Sequence, residues 1–323
     1  MTAAISLYGP VVADLPLVEA ALARVREVEY EPLRRMLEHI LAGGGKRVRP
    51  ALALLAGRFG SYDLTKLVPL AASIELLHTA TLVHDDVIDR SPLRRGLPTA
   101  HSLFGNAASV MVGDFMFAHA ADLIASTDSV PVVRLFARTI MALATGELAQ
   151  DVSAFDYRKT IQEYYSRIGG KTASLFAAAT EGGALISGCP PTWIAALRDY
   201  GFNYGMAFQI VDDILDFAGS EAALGKPAGS DLLSGTLTLP SLLLMERAGA
   251  KNPVRRFFVA RRNREQRLAE VLEAVRTSGV LDEAAAVARD FANRALAALE
   301  PLDGGAARSA LADLAEFVLV RGS

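Results

Sequence analysis

Apolar positions recur along most of this chain at steps of three and four, the spacing of one helix face. Leu67, Leu70, Ile74, Leu77, Thr81 and Ile88 keep that step. Pro92 ends the run, and residues 91–98 read as a loop. The same periodicity predicts helices over 106–126, 130–151, 160–186 and 192–218, the third with a bend at Gly169-Gly170. Residues 219–235 gather Gly, Pro, Ser and Asp and predict a long loop. Helices follow over 239–248, 264–278, 281–299 and 306–320. No segment alternates with period two, so no substantial sheet is expected. Without repeats or low-complexity linkers, the pattern predicts one all-α domain over residues 1–323.

Composition agrees with packed helices. Hydrophobic residues make up 51% of 323, mostly Ala, Leu and Val, while aromatics are only 7%. The net charge is −3, which disfavours a nucleic-acid partner. Arg255, Arg256, Arg261, Arg262, Arg264 and Arg267 form the single charge cluster and read as a solvated helix face. Cys189 is the only cysteine, so no intrachain disulfide forms and a reducing cytoplasm is expected. The first sixteen residues carry Asp14 and no Lys or Arg, unlike a secretory signal. The longest uncharged stretch, 96–113, is interrupted by Pro98, His101 and Asn106, so no bilayer span is expected.

The chemistry lies in two acidic motifs. Asp85, Asp86 and Asp89 follow an almost wholly apolar helical run, Leu76 to Val83. Asp85 and Asp89 are four apart and share one helix face, where bare carboxylates repel. A buried helix seldom carries three acids unless cations meet them. Carboxylates are hard ligands suited to Mg²⁺, which takes one or two of them and completes its shell with water and phosphate. Asp212, Asp213 and Asp216 repeat the spacing among Phe208, Ile210, Val211, Ile214, Leu215 and Phe217. A solvated acidic patch explains one copy better than two. Basic groups stand nearby in sequence: Lys46, Arg47 and Arg49 after Gly43-Gly44-Gly45, then Arg94-Arg95, Lys171-Thr172 after Gly169-Gly170, and Lys226. The 169–172 stretch reads as a helix opening that favours anions. Cations beside glycines and acids point to diphosphate groups. No G-x-x-x-x-G-K-[ST] occurs, which disfavours a nucleotide enzyme.

These stretches resemble the trans-prenyl diphosphate synthases of the long-chain, octaprenyl type. The resemblance rests on GGGKRVRP, LLHTATLVHDDVIDRSPLRRG, GGKTASLF, FQIVDDILDF and LGKPAGSDL, which occur in the family's order across most of the chain. It implies the isoprenoid synthase fold, a bundle of ten or more helices around a central apolar cavity. It also implies a homodimer and three Mg²⁺ ions per site when substrate is bound. The reaction implied is head-to-tail condensation of isopentenyl diphosphate with an allylic diphosphate, farnesyl or geranylgeranyl. Asp85, Asp86, Asp89, Asp212, Asp213 and Asp216 would hold metal, with Asp85, Asp89, Lys171 and Asp212 counted as catalytic. Arg94, Lys171, Thr172, Gln209 and Lys226 would hold the allylic diphosphate; Lys46, Arg49, His78 and Arg95 would hold that of isopentenyl diphosphate. A core histidine is the plainer reading of His78, and His84 is read as structural. One departure stands out: Thr236 occupies a place where the family commonly carries a basic residue, so one diphosphate contact is missing or supplied by a neighbour.

Product length is readable in part. Four residues before Asp85, about 6 Å down the helix, stands Thr81, with Ala80 beside it. Short-chain relatives carry large aromatics near there. The floor is therefore expected deeper, at Met116 or Phe117, or at Met141 or Leu143, and a long product of the quinone side-chain type follows. The alternatives are a short-chain farnesyl or geranylgeranyl synthase, a terpene cyclase, and a non-catalytic synthase subunit. A cyclase needs no isopentenyl site, which Lys46, Arg49 and Arg95 disfavour. A non-catalytic subunit typically loses aspartates that are intact here.

Overall fold

A computed structural model of the chain describes residues 7–219, 228–249, 252–260 and 262–320. The backbone groups into two compact units. The first runs to Ile140 and adds Leu175–Gly201 and Ala298–Leu314. The second comprises Met141–Ser174, Phe202–Ala297 and the residues from Ala315.

In the first unit, α1 (Leu15–Arg24), α2 (Glu31–Ala42) and α3 (Val48–Gly57) precede the long helix α4 (Leu64–Ile88). Asp63 caps α4: its Oδ1 accepts from the Thr65 N–H at 2.9 Å and from the Thr65 hydroxyl at 2.6 Å. A helix that is apolar all round must be enclosed. Accordingly α1, α3 and above all α6 (Asn106–Ala125), which follows the short α5 (Ala100–Phe104), pack against α4. Inside the α4–α6 contact the Ser73 hydroxyl donates to the Ala120 carbonyl at 2.7 Å. Small residues set close approaches. A Cβ on Gly183 would fall 2.2 Å from the Ala53 carbonyl oxygen of α3. At Gly113 of α6 it would fall 2.1 Å from His84 Nε2. His84 thus fills a notch in α6, with its ring 5.3 Å from that of Phe117 and Nε2 3.0 Å from the Val110 carbonyl. This agrees with a structural histidine.

Between α4 and α5, Leu93–Arg94 and Leu97–Pro98 pair as a minimal antiparallel hairpin, β1 and β2, where a plain loop was expected. Its two turn residues, Arg95 and Gly96, have φ of 52° and 80°. Positive φ at both matches the twist of paired strands.

Helix α7 spans Val130–Val152. In the second unit, α8 (Ile161–Ile168) opens with a capping box between Thr160 and Glu163. The stretch expected as one bent helix is α8, a π-helical turn Gly169–Ala173, and α9 (Ser174–Ile186). Helix α10 spans Pro191–Ala218, and the short α11 Ser230–Leu233 stands in the predicted loop, of which 220–227 lie outside the described residues. Then come α12 (Leu239–Ala248), α13 (Pro253–Val259), α14 (Arg264–Thr277), α15 (Val280–Ala298) and α16 (Ala306–Val320). Their core includes Ile168, Ile210, Phe217, Leu239, Phe257 and Val275. Helix α13 arises within the arginine-rich stretch, where periodicity shows no helix. There Arg255 lies over the Tyr157 ring at 5.3 Å and Arg264 over the Phe257 ring at 5.0 Å.

Contrary to expectation, α4 and α6 are both long and apolar enough to cross a bilayer, each at mean hydropathy 1.3. The α4 stretch is 61% buried in the protein and that of α6 only 33%. Val110 and Met111 of α6 stand 41% and 72% exposed.

Gly183→Ala forces its methyl into α3 backbone, which cannot yield as a side-chain end can. It is expected to destabilise the protein by about 1–3 kcal/mol, read as a lowered thermal midpoint. An unchanged midpoint contradicts the close approach.

Candidate active site

The first acidic motif ends α4. Asp86 is buried, Asp85 half-buried and Asp89 exposed at the C-cap, its N–H bonded to the Asp85 carbonyl at 2.8 Å. Burial of Asp86 is matched by a cation. Arg94 Nε lies 2.9 and 3.0 Å from its two carboxylate oxygens, and Nη2 lies 2.8 Å from Oδ1. Such forked pairing is strong and geometrically selective. Arg94, assigned by resemblance to an allylic diphosphate, already has this carboxylate partner. Asp85 and Asp89 form the more accessible part of the motif.

Arg95, across the hairpin turn, donates to the Gly44 carbonyl and, at 3.3 Å, to that of Gly43. A non-glycine residue at positive φ costs on the order of 1 kcal/mol, and these bonds offset it. The glycine loop, the hairpin and α4 border a cleft open to solvent, lined by Gly44, Arg47, Glu75, His78, Arg94 and Arg95 among others. Burial, and then the guanidiniums of Arg49, Arg95, Arg94 and Arg47, hold the His78 imidazole well below its usual 6.5. His78 is therefore neutral at pH 7 and can donate one N–H without adding charge. Arg49 lies over the Phe176 ring at 4.2 Å. Lys46, Arg49, His78 and Arg95 thus all belong to the first unit, on or beside this loop and on α4 and the hairpin.

The second acidic motif lies on α10. Asp212 is exposed, while Asp213 and Asp216 are buried. Asp213 accepts from the Tyr164 hydroxyl at 2.7 Å and from Gln209 Nε2 at 2.8 Å. Gln209 Oε1 accepts in turn from the Thr172 hydroxyl at 2.7 Å. Thr172 and Gln209 are thereby tied into the aspartate network. Burial, reinforced by the Asp231 charge, pushes the Asp213 carboxyl up to about 7, against the bonds from Tyr164 and Gln209 and the charge of Arg167. Asp216 anchors α11: Oδ1 accepts from the Ser230 hydroxyl at 2.7 Å and its carbonyl from the Gly229 N–H at 2.8 Å.

Lys171 and Thr172 lie in the π-helical turn, within a continuous helical run rather than at an open helix start. Such single turns often mark functional sites. Lys171 makes a close ion pair with Glu147 of α7. A Cβ on Gly146 would lie 2.7 Å from the Lys171 nitrogen, so that glycine admits the turn. Lys226 lies outside the described residues. Thr236 N–H donates to the Asp231 carbonyl at 2.8 Å; one residue on, Arg167 Nη2 donates to the Leu237 carbonyl at 2.7 Å.

Of the expected wall, Ala80 and Met116 are fully buried, and Phe117 is half-buried against His84. Thr81 is half-buried, its hydroxyl donating to the His78 carbonyl at 2.7 Å. Leu143 is 7% exposed, whereas Met141 is 61% exposed and forms no enclosed floor in a single copy.

Among the described residues, no three His, Cys, Asp or Glu side chains are arranged to hold a metal unaided. Mg²⁺ takes only one or two carboxylates and fills its shell largely with water and phosphate. The paired hard carboxylates Asp85 with Asp89, and Asp212 with its neighbours, have the chemistry to hold it. Sequence reasoning passed over Glu75, Glu147, Tyr164 and Asp231. Glu75 was findable as a lone acid in an apolar helical run; Tyr164 carries no such signal.

The family model for polyprenyl synthetase matches residues 30–275. The chain is 38% identical to heptaprenyl diphosphate synthase component 2 of Geobacillus stearothermophilus, over 97% of each chain. It is 40% identical to a short chain isoprenyl diphosphate synthase of Methanothermobacter thermautotrophicus, over 94% of this chain and 96% of that one. Among solved structures it is similar to the polyprenyl synthase of Caulobacter crescentus complexed with calcium and isoprenyl diphosphate. That match has a TM-score of 0.92 and 39% identity, covering 97% of this chain and 96% of the other.

The raised Asp213 carboxyl makes the metal-free protein pH-sensitive. Between pH 4 and 7 the folded chain holds a proton there that the unfolded chain has lost. This contribution is complete below pH 4 and vanishes as pH rises through 7. In chelator, the wild type should lose up to about 1.4 kcal/mol per pH unit relative to Asp213→Asn over that window. Thermal midpoints of both proteins at several pH values measure it, and a pH-independent difference contradicts it.

Proposed function

This chain belongs to the polyprenyl synthetase family, and from that premise we propose that it condenses isopentenyl diphosphate with farnesyl or geranylgeranyl diphosphate. The product of this prenyltransferase is a long all-trans polyprenyl diphosphate of octaprenyl type, suited to a quinone side chain and made in the cytoplasm. Residues 1–323 act as one synthase domain. Mg²⁺ is the cation, held by Asp85 and Asp89 and by Asp212, with Asp86, Asp213 and Asp216 as the buried supports of the two motifs. The Caulobacter relative, complexed with calcium and isoprenyl diphosphate, supports a divalent-cation requirement.

The observation that carries this reading is the cleft where neutral His78, Arg95 and the glycine loop meet the Arg94–Asp86 pair. It suits a diphosphate beside a carboxylate-rich helix end. Lys46, Arg49 and Arg95 would bind the diphosphate of isopentenyl diphosphate, with His78 donating a hydrogen bond. Lys171, Thr172, Gln209, Arg94 and Lys226 would bind the allylic diphosphate. Bound cations would neutralise that group as it leaves and an allylic carbocation develops. The double bond of isopentenyl diphosphate attacks that carbon, the leaving pair passes to diphosphate oxygen, and one proton is lost. The chain's apolar side chains must keep water from the cation.

The long-chain assignment rests on Ala80 and Thr81. Both are small where short-chain relatives carry large aromatics, and the buried Met116 lies on α6, the helix packed against α4. Relatives of both lengths are similar to this chain, so the wall residues decide the length. Exposed Val110 and Met111 on α6 suit a second copy and hence a homodimer. The relative named component 2 supports another reading, in which a different chain covers that face.

Purified alone, the chain should convert radiolabelled isopentenyl diphosphate and a farnesyl primer in Mg²⁺ and stop in chelator. Asp85→Asn and Asp212→Asn should each lower turnover about a hundredfold or more. In the same assay Ala80→Phe should shorten the product with the rate largely kept. Full turnover in the aspartate variants, or no activity without a second polypeptide, contradicts the reading.

A further inference from the structure

Between Lys46 on the glycine loop and Arg49 at the start of α3 stands Arg47, which the diphosphate reading leaves unused. Arg47 has φ 51°, a left-handed conformation that a residue with a Cβ rarely adopts without support. Its guanidinium is divided between two carboxylates. Nε and Nη2 donate to Glu19 at 2.5 and 3.1 Å, and Nη1 donates to Glu75 Oε1 at 2.9 Å. Glu75 is 6% exposed on α4, three residues before His78. A carboxylate that deep needs a cation, and breaking such a pair leaves a buried charge uncompensated.

The same loop is tied down on either side. The buried Tyr8 hydroxyl donates to the Lys46 carbonyl, and Arg95 donates to the Gly43 and Gly44 carbonyls. At Gly45 a Cβ would stand 3.2 Å from Arg47 Nη1, 3.4 Å from Glu75 Oε1 and 3.6 Å from Arg95 Nη1. The backbone therefore runs directly over the ion pair. Lys46 and Arg49 flank a residue whose backbone is fixed by its own side chain.

We infer that Glu75, through Arg47, is a positioning residue that fixes the Gly43–Arg47 loop and the start of α3 for the diphosphate of isopentenyl diphosphate. It rests on the substrate assignment above and adds a residue outside the set that would touch that substrate. Glu75 lines the same cleft, but its carboxylate is turned to Arg47 and would repel a diphosphate rather than hold one. It neutralises the central one of three cations, so that the outer two face a ligand rather than repel one another from a mobile loop. A preorganised loop spares binding the entropy of ordering it, and small misplacements of such groups are costly.

The test is Glu75→Gln, which keeps shape and removes charge, with Arg47→Lys as the conservative partner variant. The KM for isopentenyl diphosphate should rise about tenfold in Glu75→Gln and less in Arg47→Lys, while the primer KM stays within about twofold. Calorimetry with isopentenyl diphosphate alone should show the same weakening without turnover. Glu19→Gln removes only the half-exposed outer tether and keeps the test open if Glu75→Gln fails to fold. It should shift the same KM in the same direction by a smaller factor. Unchanged KM values in folded variants overturn the inference, as does an equal rise for both substrates. Failure of the unmodified chain to use isopentenyl diphosphate at all would instead remove the substrate assignment, a distinct outcome.

Discussion

Acid buried on an apolar helix must be met by positive charge or by hydrogen-bond donors, and the structure uses both. Asp86 is answered by the fork of Arg94 and Glu75 by Arg47, both within the first unit. In the second unit Asp213 is met by the Tyr164 hydroxyl and the Gln209 amide, and burial pushes its carboxyl up to about 7. The hairpin exists to deliver Arg94 and Arg95; its strained turn is tolerated because both side chains are engaged on arrival. Asp85, Asp89 and Asp212 are the least buried carboxylates of the two motifs.

This division gives the motifs an internal order that their spacing conceals. In each D-D-x-x-D run the middle aspartate is buried and serves the scaffold, Asp86 through Arg94 and Asp213 through Tyr164 and Gln209. The last residue differs between them: Asp89 is exposed, whereas Asp216 is buried and holds the start of α11. Equal motifs in sequence are therefore unequal in structure.

Much of the architecture was legible because it rests on one period. The helices over 106–125, 239–248 and 306–320 follow the apolar spacing almost to the residue. Where the period is interrupted, reading failed for identifiable reasons. The π turn at Gly169–Ala173 keeps helical composition while changing the hydrogen-bond register, so it looks like a bend or a helix start. Helix α13 is hidden among arginines whose guanidiniums lie over aromatic rings. The hairpin is too short to alternate. At the site, the aspartates and their basic companions were visible as residue types out of place. Their partnerships were not, because Tyr164 with Asp213, or Glu147 with Lys171, are joined only by folding.

The small residues before Asp85 turn a family likeness into a claim about product, since relatives of both lengths resemble this chain equally well. The most direct measurement is chromatography of the products that the unmodified chain makes from farnesyl and isopentenyl diphosphates with Mg²⁺. Products of octaprenyl length are predicted; accumulation of geranylgeranyl diphosphate as the end product would contradict the account.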